Sequence, residues 1–134
     1  MSFFSRLFGR DHAESSLRLR EVLCADTRGL HHLRYTEWGD PENTRVLVCV
    51  HGLTRNGRDF DRLAKALSAD YRVICPDTIG RGLSAWSPLP KEEYCLAFYA
   101  AIALDLVNQL GMDKLHWVGT SMGGAIGTVA ASGF

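Results

Sequence analysis

Two hydrophobic patterns divide the chain. Leu17-Arg18-Leu19-Arg20-Glu21-Val22-Leu23 partly alternates apolar with polar positions and predicts a first strand. Leu30 to Trp38 alternates less cleanly, and Asp26-Thr27-Arg28-Gly29 supplies a turn between the two, so they predict a hairpin. Gly39-Asp40-Pro41-Glu42-Asn43 marks a second turn. Beyond it the pattern changes. Val46 to Val50 is a continuous apolar run, the signature of a strand covered on both faces. Phe60, Leu63, Ala64 and Leu67 recur at spacings of three and four, with Arg58, Asp61 and Lys65 between, which predicts an amphipathic helix. Tyr71 to Cys75 is the next buried strand, stopped by Pro76, and a loop from Asp77 to Ser84 follows, extended by Trp86 to Pro90. Leu96, Tyr99, Ala103, Leu106 and Leu110 mark a longer helix that Gly111 is placed to end. Asp113 to Val118 contains a further strand, Gly119 to Gly124 a tight turn, and Ala125 to Ala131 a helix of small and apolar residues.

A hairpin followed by strand–helix repeats, joined by right-handed crossovers, predicts a three-layer α/β/α fold with a mostly parallel sheet. No internal repeat or Gly/Pro/Ser-rich linker divides it. Residues 1–16 read as an N-terminal tail and 17–134 as the α/β unit. Phe3, Phe4, Leu7 and Phe8, interrupted by Arg6 and Arg10, are too short a run for a secretory signal. An interfacial anchor is the alternative to a locally packed tail there.

Composition narrows the classes. The 134 residues are 46% hydrophobic and 22% charged, which excludes a disordered chain. Fifteen basic residues balance fifteen acidic ones, which argues against a nucleic-acid binder working by charge. The cysteines at 24, 49, 75 and 95 form no C-x-x-C pair, and Cys49 and Cys75 lie inside apolar strands. They read as small buried hydrophobes in a reducing, cytoplasmic setting rather than as a disulfide framework. No apolar stretch is long enough for a transmembrane span.

The chemistry concentrates in Gly119-Thr120-Ser121-Met122-Gly123, a G-x-S-x-G between a strand and a helix. Such a turn pushes the serine into an uncommon backbone conformation and exposes its hydroxyl. Gly119 and Gly123 leave room where side chains would meet crossing backbone. The helix behind the serine turns free N–H groups toward any developing negative charge. A second signal is His51-Gly52-Leu53, directly after a buried strand. The N–H groups of Leu53 and Met122 suit a two-donor oxyanion hole, a role that needs no particular side chain.

These features together resemble the N-terminal part of an α/β-hydrolase-fold protein of the esterase, C–C hydrolase and haloperoxidase-like type. Three motifs match in order: His51-Gly52, then Asp77-x-x-Gly80-x-Gly82-x-Ser84, then Gly119 to Gly123. The resemblance implies that Ser121 is the nucleophile, that Leu53 and Met122 are the oxyanion amides, and that Asp77, Gly80, Arg81, Gly82 and Ser84 form a structural loop bordering the pocket. It also implies strand order 1-2-4-3-5 with strand two antiparallel. A serine at the nucleophile position speaks against haloalkane dehalogenation, which in this fold uses an aspartate. No cofactor or metal is implied, and the expected partner is a small acyl substrate. Phe60, Leu83 and Trp86 are candidates to line its pocket.

A serine hydroxyl needs an imidazole steered by a carboxylate, which this fold places after the serine in the order acid, then histidine. The residues after Ser121 contain neither. Upstream, His12 falls in the tail, His31 and His32 at the hairpin, and His116 inside the strand feeding the elbow. That leaves His51, with Asp77, as the sole base-and-acid pair to test. The expectation is therefore a partial protein whose last strand is an exposed sheet edge, open to self-association or a complementing chain. Against a serine hydrolase stands a non-catalytic fragment or subunit that completes another chain's sheet. A Rossmann-like nucleotide binder is disfavoured, because the loop from His51 to Gly57 lacks the G-x-G-x-x-G spacing.

Overall fold

The computed structural model describes residues 17–132; the tail assigned to residues 1–16 lies outside them. Strands β1 (Arg18–Asp26) and β2 (Gly29–Trp38) form the antiparallel hairpin, in register from Arg18 opposite Glu37 to Asp26 opposite Gly29. β1 runs three residues beyond the predicted Leu23, because cross-strand pairing carries the ladder down to the turn. There the Asp26 carboxylate accepts the amides of Arg28 and Gly29 at 3.0 and 3.1 Å.

Strands β3 (Val46–Val50), β4 (Arg72–Pro76) and β5 (His116–Gly119) complete a five-stranded sheet in the order β1-β2-β4-β3-β5. β4 and β5 both pair parallel to β3, and β2 pairs antiparallel to β4, as expected. β3 sits between two neighbours and is buried throughout, which is why its residues lack polar alternation. Val46, Val48 and Val50 face one core with Ile74, Phe98, Ile102, Leu106 and Ile126. Leu47 and Cys49 face the other, with Trp38, Phe60, Ala64 and Val73.

Helices cover each face. A 3-10 turn (Gly57–Phe60) leads into α1 (Asp61–Leu67), whose buried Ala64 packs under the second core. The turn starts on Asn56, whose side chain accepts the Arg58 amide at 3.0 Å. On the opposite face lie α3 (Leu96–Gln109) and α4 (Met122–Ala131). Between loop and α3 the chain forms a single helical turn, α2 (Pro90–Glu93), absent from the sequence reading; Pro90 opens it at a position where a missing N–H costs nothing. Full burial of side chains such as Ile74, Ile79, Leu106 and Ile126 contributes about 1.5–3 kcal/mol each. The four cysteines are free, with Cys24, Cys49 and Cys75 buried and Cys95 exposed.

The sheet edges are finished differently. The backbone of β1 is met by α3, where Asp105 accepts the Ala25 amide at 2.8 Å and Gln109 donates to the Leu23 carbonyl at 2.7 Å. β5 pairs only with β3 among the described residues, and its Val118 is exposed. No helix among the described residues is long and apolar enough to cross a membrane.

Candidate active site

β5 delivers the chain to Ser121, the one non-glycine residue among those described with a positive φ, at φ 52° and ψ −112°. The strain is held by crowding on both sides. A Cβ on Gly119 would lie 2.3 Å from the Gly123 carbonyl carbon and the Gly124 nitrogen, and one on Gly123 would lie 1.9 Å from the Val50 carbonyl oxygen. The Thr120 amide donates to that same Val50 carbonyl at 3.0 Å, pinning the turn to the end of β3. α4 starts at Met122, so Ser121 occupies its N-cap without a capping side-chain bond. Trp117 braces the other end of the turn by donating from Nε1 to the Gly123 carbonyl at 3.0 Å.

The loop after β3 abuts this turn. A Cβ on Gly52 would sit 3.7 Å from the Ser121 Cβ, an ordinary contact that shows how close the two segments run. His51 is fully buried beneath them. Its Nδ1 donates to the Gly52 carbonyl at 2.7 Å, and its Nε2 accepts the Thr78 amide at 3.0 Å. A backbone amide can only donate, so Nε2 carries no proton and the ring is the neutral Nδ1–H tautomer. Burial pulls its pKa below the ordinary 6.5, with the Gly52 carbonyl opposing. Both nitrogens are committed, so His51 has no lone pair to offer Ser121.

Asp77 is equally committed. One carboxylate oxygen accepts the Gly57 amide at 2.7 Å and the other the Leu83 amide at 2.9 Å. The pair His51–Asp77 weighed from the sequence thus divides into two separate loop anchors. The loop itself is rigidly tied: Ser84 Oγ donates to the Asp77 carbonyl at 2.6 Å and accepts the Arg34 amide at 2.8 Å. Gly82, at φ 54°, leaves room for the Asp77 carboxylate, which a Cβ would meet at 2.2 Å. Gly80, at φ 89°, makes room for the Tyr94 hydroxyl. Arg81 reaches across to donate from Nε to the Leu53 carbonyl at 2.9 Å, its guanidinium lying over Tyr94 and Tyr99. The loop therefore clamps the segment from His51 to Gly57 through Thr78, Arg81 and Asp77.

The remaining histidines stand elsewhere. His32 is exposed beside Glu21, His116 is exposed with its ring edge-on to Tyr71, and His31 is buried against Asp26; His12 lies outside the described residues. Of the pocket candidates, Phe60 belongs to the second core, on the α1 face of the sheet, while Leu83 and Trp86 are exposed. Thr78 and Trp117 were not visible as site residues. Thr78 acts through its backbone amide, which carries no sequence signal. Trp117 could have been found from Gly127, whose missing side chain makes room for the indole.

The site thus sets a strained serine at a helix start beside the loop that follows β3. The chain belongs to the alpha/beta hydrolase fold family, which residues 45–134 match. It is 52% identical over 113 residues to a 3-hydroxybutyrate-oligomer hydrolase of Cupriavidus necator, covering 84% of this chain and 38% of that protein. It is 34% identical over 94 residues to a serine hydrolase-like protein of Danio rerio, covering 70% of this chain and 28% of that one. Among solved structures it resembles an alpha/beta hydrolase from Novosphingobium aromaticivorans, with a TM-score of 0.76, 33% identity, and coverage of 87% of this chain and 40% of that one. The chain spans less than half the length of each of these relatives, and what it matches is the N-terminal part of the fold.

Proposed function

We propose that this chain carries the nucleophile half of a serine hydrolase acting on carboxylic esters, with Ser121 as the nucleophile and the Leu53 and Met122 amides as its oxyanion hole. The observation that carries the reading is the backbone of Ser121, held at positive φ against Gly52 by glycines that no side chain can replace. The peptide plane supplies the second argument. The Gly52 carbonyl is captured by His51 Nδ1 and, at 3.2 Å, by the Arg55 amide. A trans peptide sets its C=O and N–H in opposite directions, so the Leu53 N–H is turned away from His51. Neither it nor the Met122 N–H takes a protein acceptor among the described residues. A developing oxyanion would receive both; loss of one such donor costs about 100- to 1,000-fold in rate.

In the proposed reaction the Ser121 Oγ attacks the ester carbonyl as its proton passes to an imidazole. The C–O bond then breaks and the alcohol leaves with that proton. Water next releases the acid from the acyl-serine. The described residues supply the nucleophile and the amides; the reading requires the imidazole and its carboxylate from outside them. The 52% identity to the 3-hydroxybutyrate-oligomer hydrolase of Cupriavidus necator favours esters between short hydroxy-acid units as the substrate class.

A second reading is a non-catalytic subunit that completes another chain's sheet, and the unpaired side of β5 favours it. Hydrolysis of a 3-hydroxybutyrate dimer and of p-nitrophenyl butyrate, by a protein that joins this chain to the imidazole and carboxylate it requires, separates the two. Turnover abolished in Ser121→Ala is the expected result. Turnover equal in Ser121→Ala would overturn the assignment, and no turnover by the wild-type protein would favour the subunit reading.

A further inference from the structure

The proposed chemistry leaves one buried cluster unused. Asp26 at the end of β1, His31 on β2 and Glu93 at the end of α2 offer one ligand atom each, all within 4.8 Å of one another. Their side chains are 10%, 7% and 2% exposed. They share no motif spacing in the sequence; the hairpin turn and the short helix bring them together.

The geometry points to a binding site for a divalent transition cation, of the zinc class, held by His31 Nε2 and the carboxylates of Asp26 and Glu93. Nε2 lies 3.2 Å from Asp26 Oδ1 and 3.6 Å from Glu93 Oε2. Ligand bonds of about 2.0–2.1 Å in a tetrahedron put neighbouring donors roughly 3.4 Å apart, so these two edges already have the right length. The donors are also preset. The His31 ring is fixed edge-on to Phe98, with centroids 5.1 Å apart. Asp26 is held by the Arg28 and Gly29 amides. Ser87 Oγ donates to Glu93 Oε1, which leaves Oε2 for the cluster. Such outer contacts are what orient ligands in metal sites.

Charge provides an independent argument. With both carboxylates ionised the cluster carries two negative charges, and His31 can cancel one at most. No lysine or arginine among the described residues pairs with Asp26 or Glu93. Buried charge left unbalanced is costly. A divalent cation beside a neutral imidazole brings the sum to zero. A groove lined by Asp26, Arg28, Glu92, Cys95 and Phe98 borders the cluster on the Asp26 side. Bound there, the cation staples the β1–β2 turn to α2.

The test is equilibrium dialysis of the untagged, full-length protein against Zn2+, with Co2+ substitution read by visible absorption and folding checked by circular dichroism. One ion per chain is expected, with affinity at least about tenfold weaker in both His31→Gln and Glu93→Gln, and unchanged in Cys95→Ser. No binding by the wild-type protein, unchanged binding in the two folded variants, or loss of binding in Cys95→Ser would each overturn the site and leave an ion-pair network only. Should both variants misfold, the cobalt spectrum of the wild-type protein decides. Tetrahedral bands without thiolate charge transfer support the site, and thiolate bands contradict it.

Discussion

Two glycine-rich turns follow parallel strands in this fold, and they use glycine for opposite ends. In the loop from Asp77 to Ser84 the glycines make room for side chains: Gly82 for the Asp77 carboxylate, Gly80 for the Tyr94 hydroxyl. The result is a turn whose polar groups are satisfied internally and which holds the neighbouring loop still. In the elbow from Gly119 to Gly124 the glycines make room for backbone, of Gly123 and Gly124 on one side and of Val50 on the other. That turn ends with a serine in a strained conformation and a helix start left uncapped. A side chain can move aside and a strand's backbone cannot, so the second turn is the less tolerant of change. The first is built to hold and the second to present.

The largest expected effect follows from that difference. In Gly123→Ala the new Cβ would meet the Val50 carbonyl oxygen at 1.9 Å, inside a strand paired on both sides. A loss of about 4 kcal/mol or more in urea unfolding is expected; a loss below about 1 kcal/mol would erase the contrast between the turns. Asp77→Asn comes next. Its side-chain oxygen can still accept one amide, but its NH2 would face the other, Gly57 or Leu83, donor to donor. Leaving a buried N–H unsatisfied costs about 1–3 kcal/mol, read by the same unfolding curves.

A smaller effect is pH-dependent. His51 has a folded pKa below the ordinary 6.5 because it is buried. The unfolded chain therefore takes up a proton at this residue that the folded chain refuses. Its contribution to stability is intact above 6.5 and is lost as pH falls from there through the folded pKa, at up to about 1.4 kcal/mol per pH unit. His51→Gln should flatten that slope, and an unchanged slope would show that another group carries it. Gly52→Ala should do least to stability, within about 0.5 kcal/mol, since its Cβ makes only ordinary contacts at 3.5 and 3.7 Å. A large loss there would mean the loop is held more tightly than the elbow.

The contrast also shows what the sequence could carry. The elbow was legible because its requirement is local: G-x-S-x-G between strand and helix states which positions have no room. The strand order was legible through the resemblance, and β3 through five apolar residues in a row. The clamp was not, because its bonds run through the Thr78 and Gly57 amides and the Leu53 carbonyl, and backbone groups are present at every residue. Buried Glu37 was also hidden. Burial raises its pKa, but bonds from Arg72 and Arg18 outweigh this and hold it below the ordinary carboxylate range. Those arginines come from β4 and β1, so the pairing exists only once the sheet has formed. Phe60 was misplaced for a related reason: helical spacing shows that a face is buried, but not on which side of the sheet.

The proposed nucleophile role of Ser121 depends on its facing a two-amide oxyanion site. A fluorophosphonate, whose P=O oxygen needs the same donors, tests it directly when the modified serine is mapped by mass spectrometry. With the required imidazole and carboxylate also present, a single adduct at Ser121 is expected, formed at least about 100-fold faster than at exposed Ser132 and absent from Ser121→Ala. Labelling of Ser121 no faster than of Ser132 would contradict it.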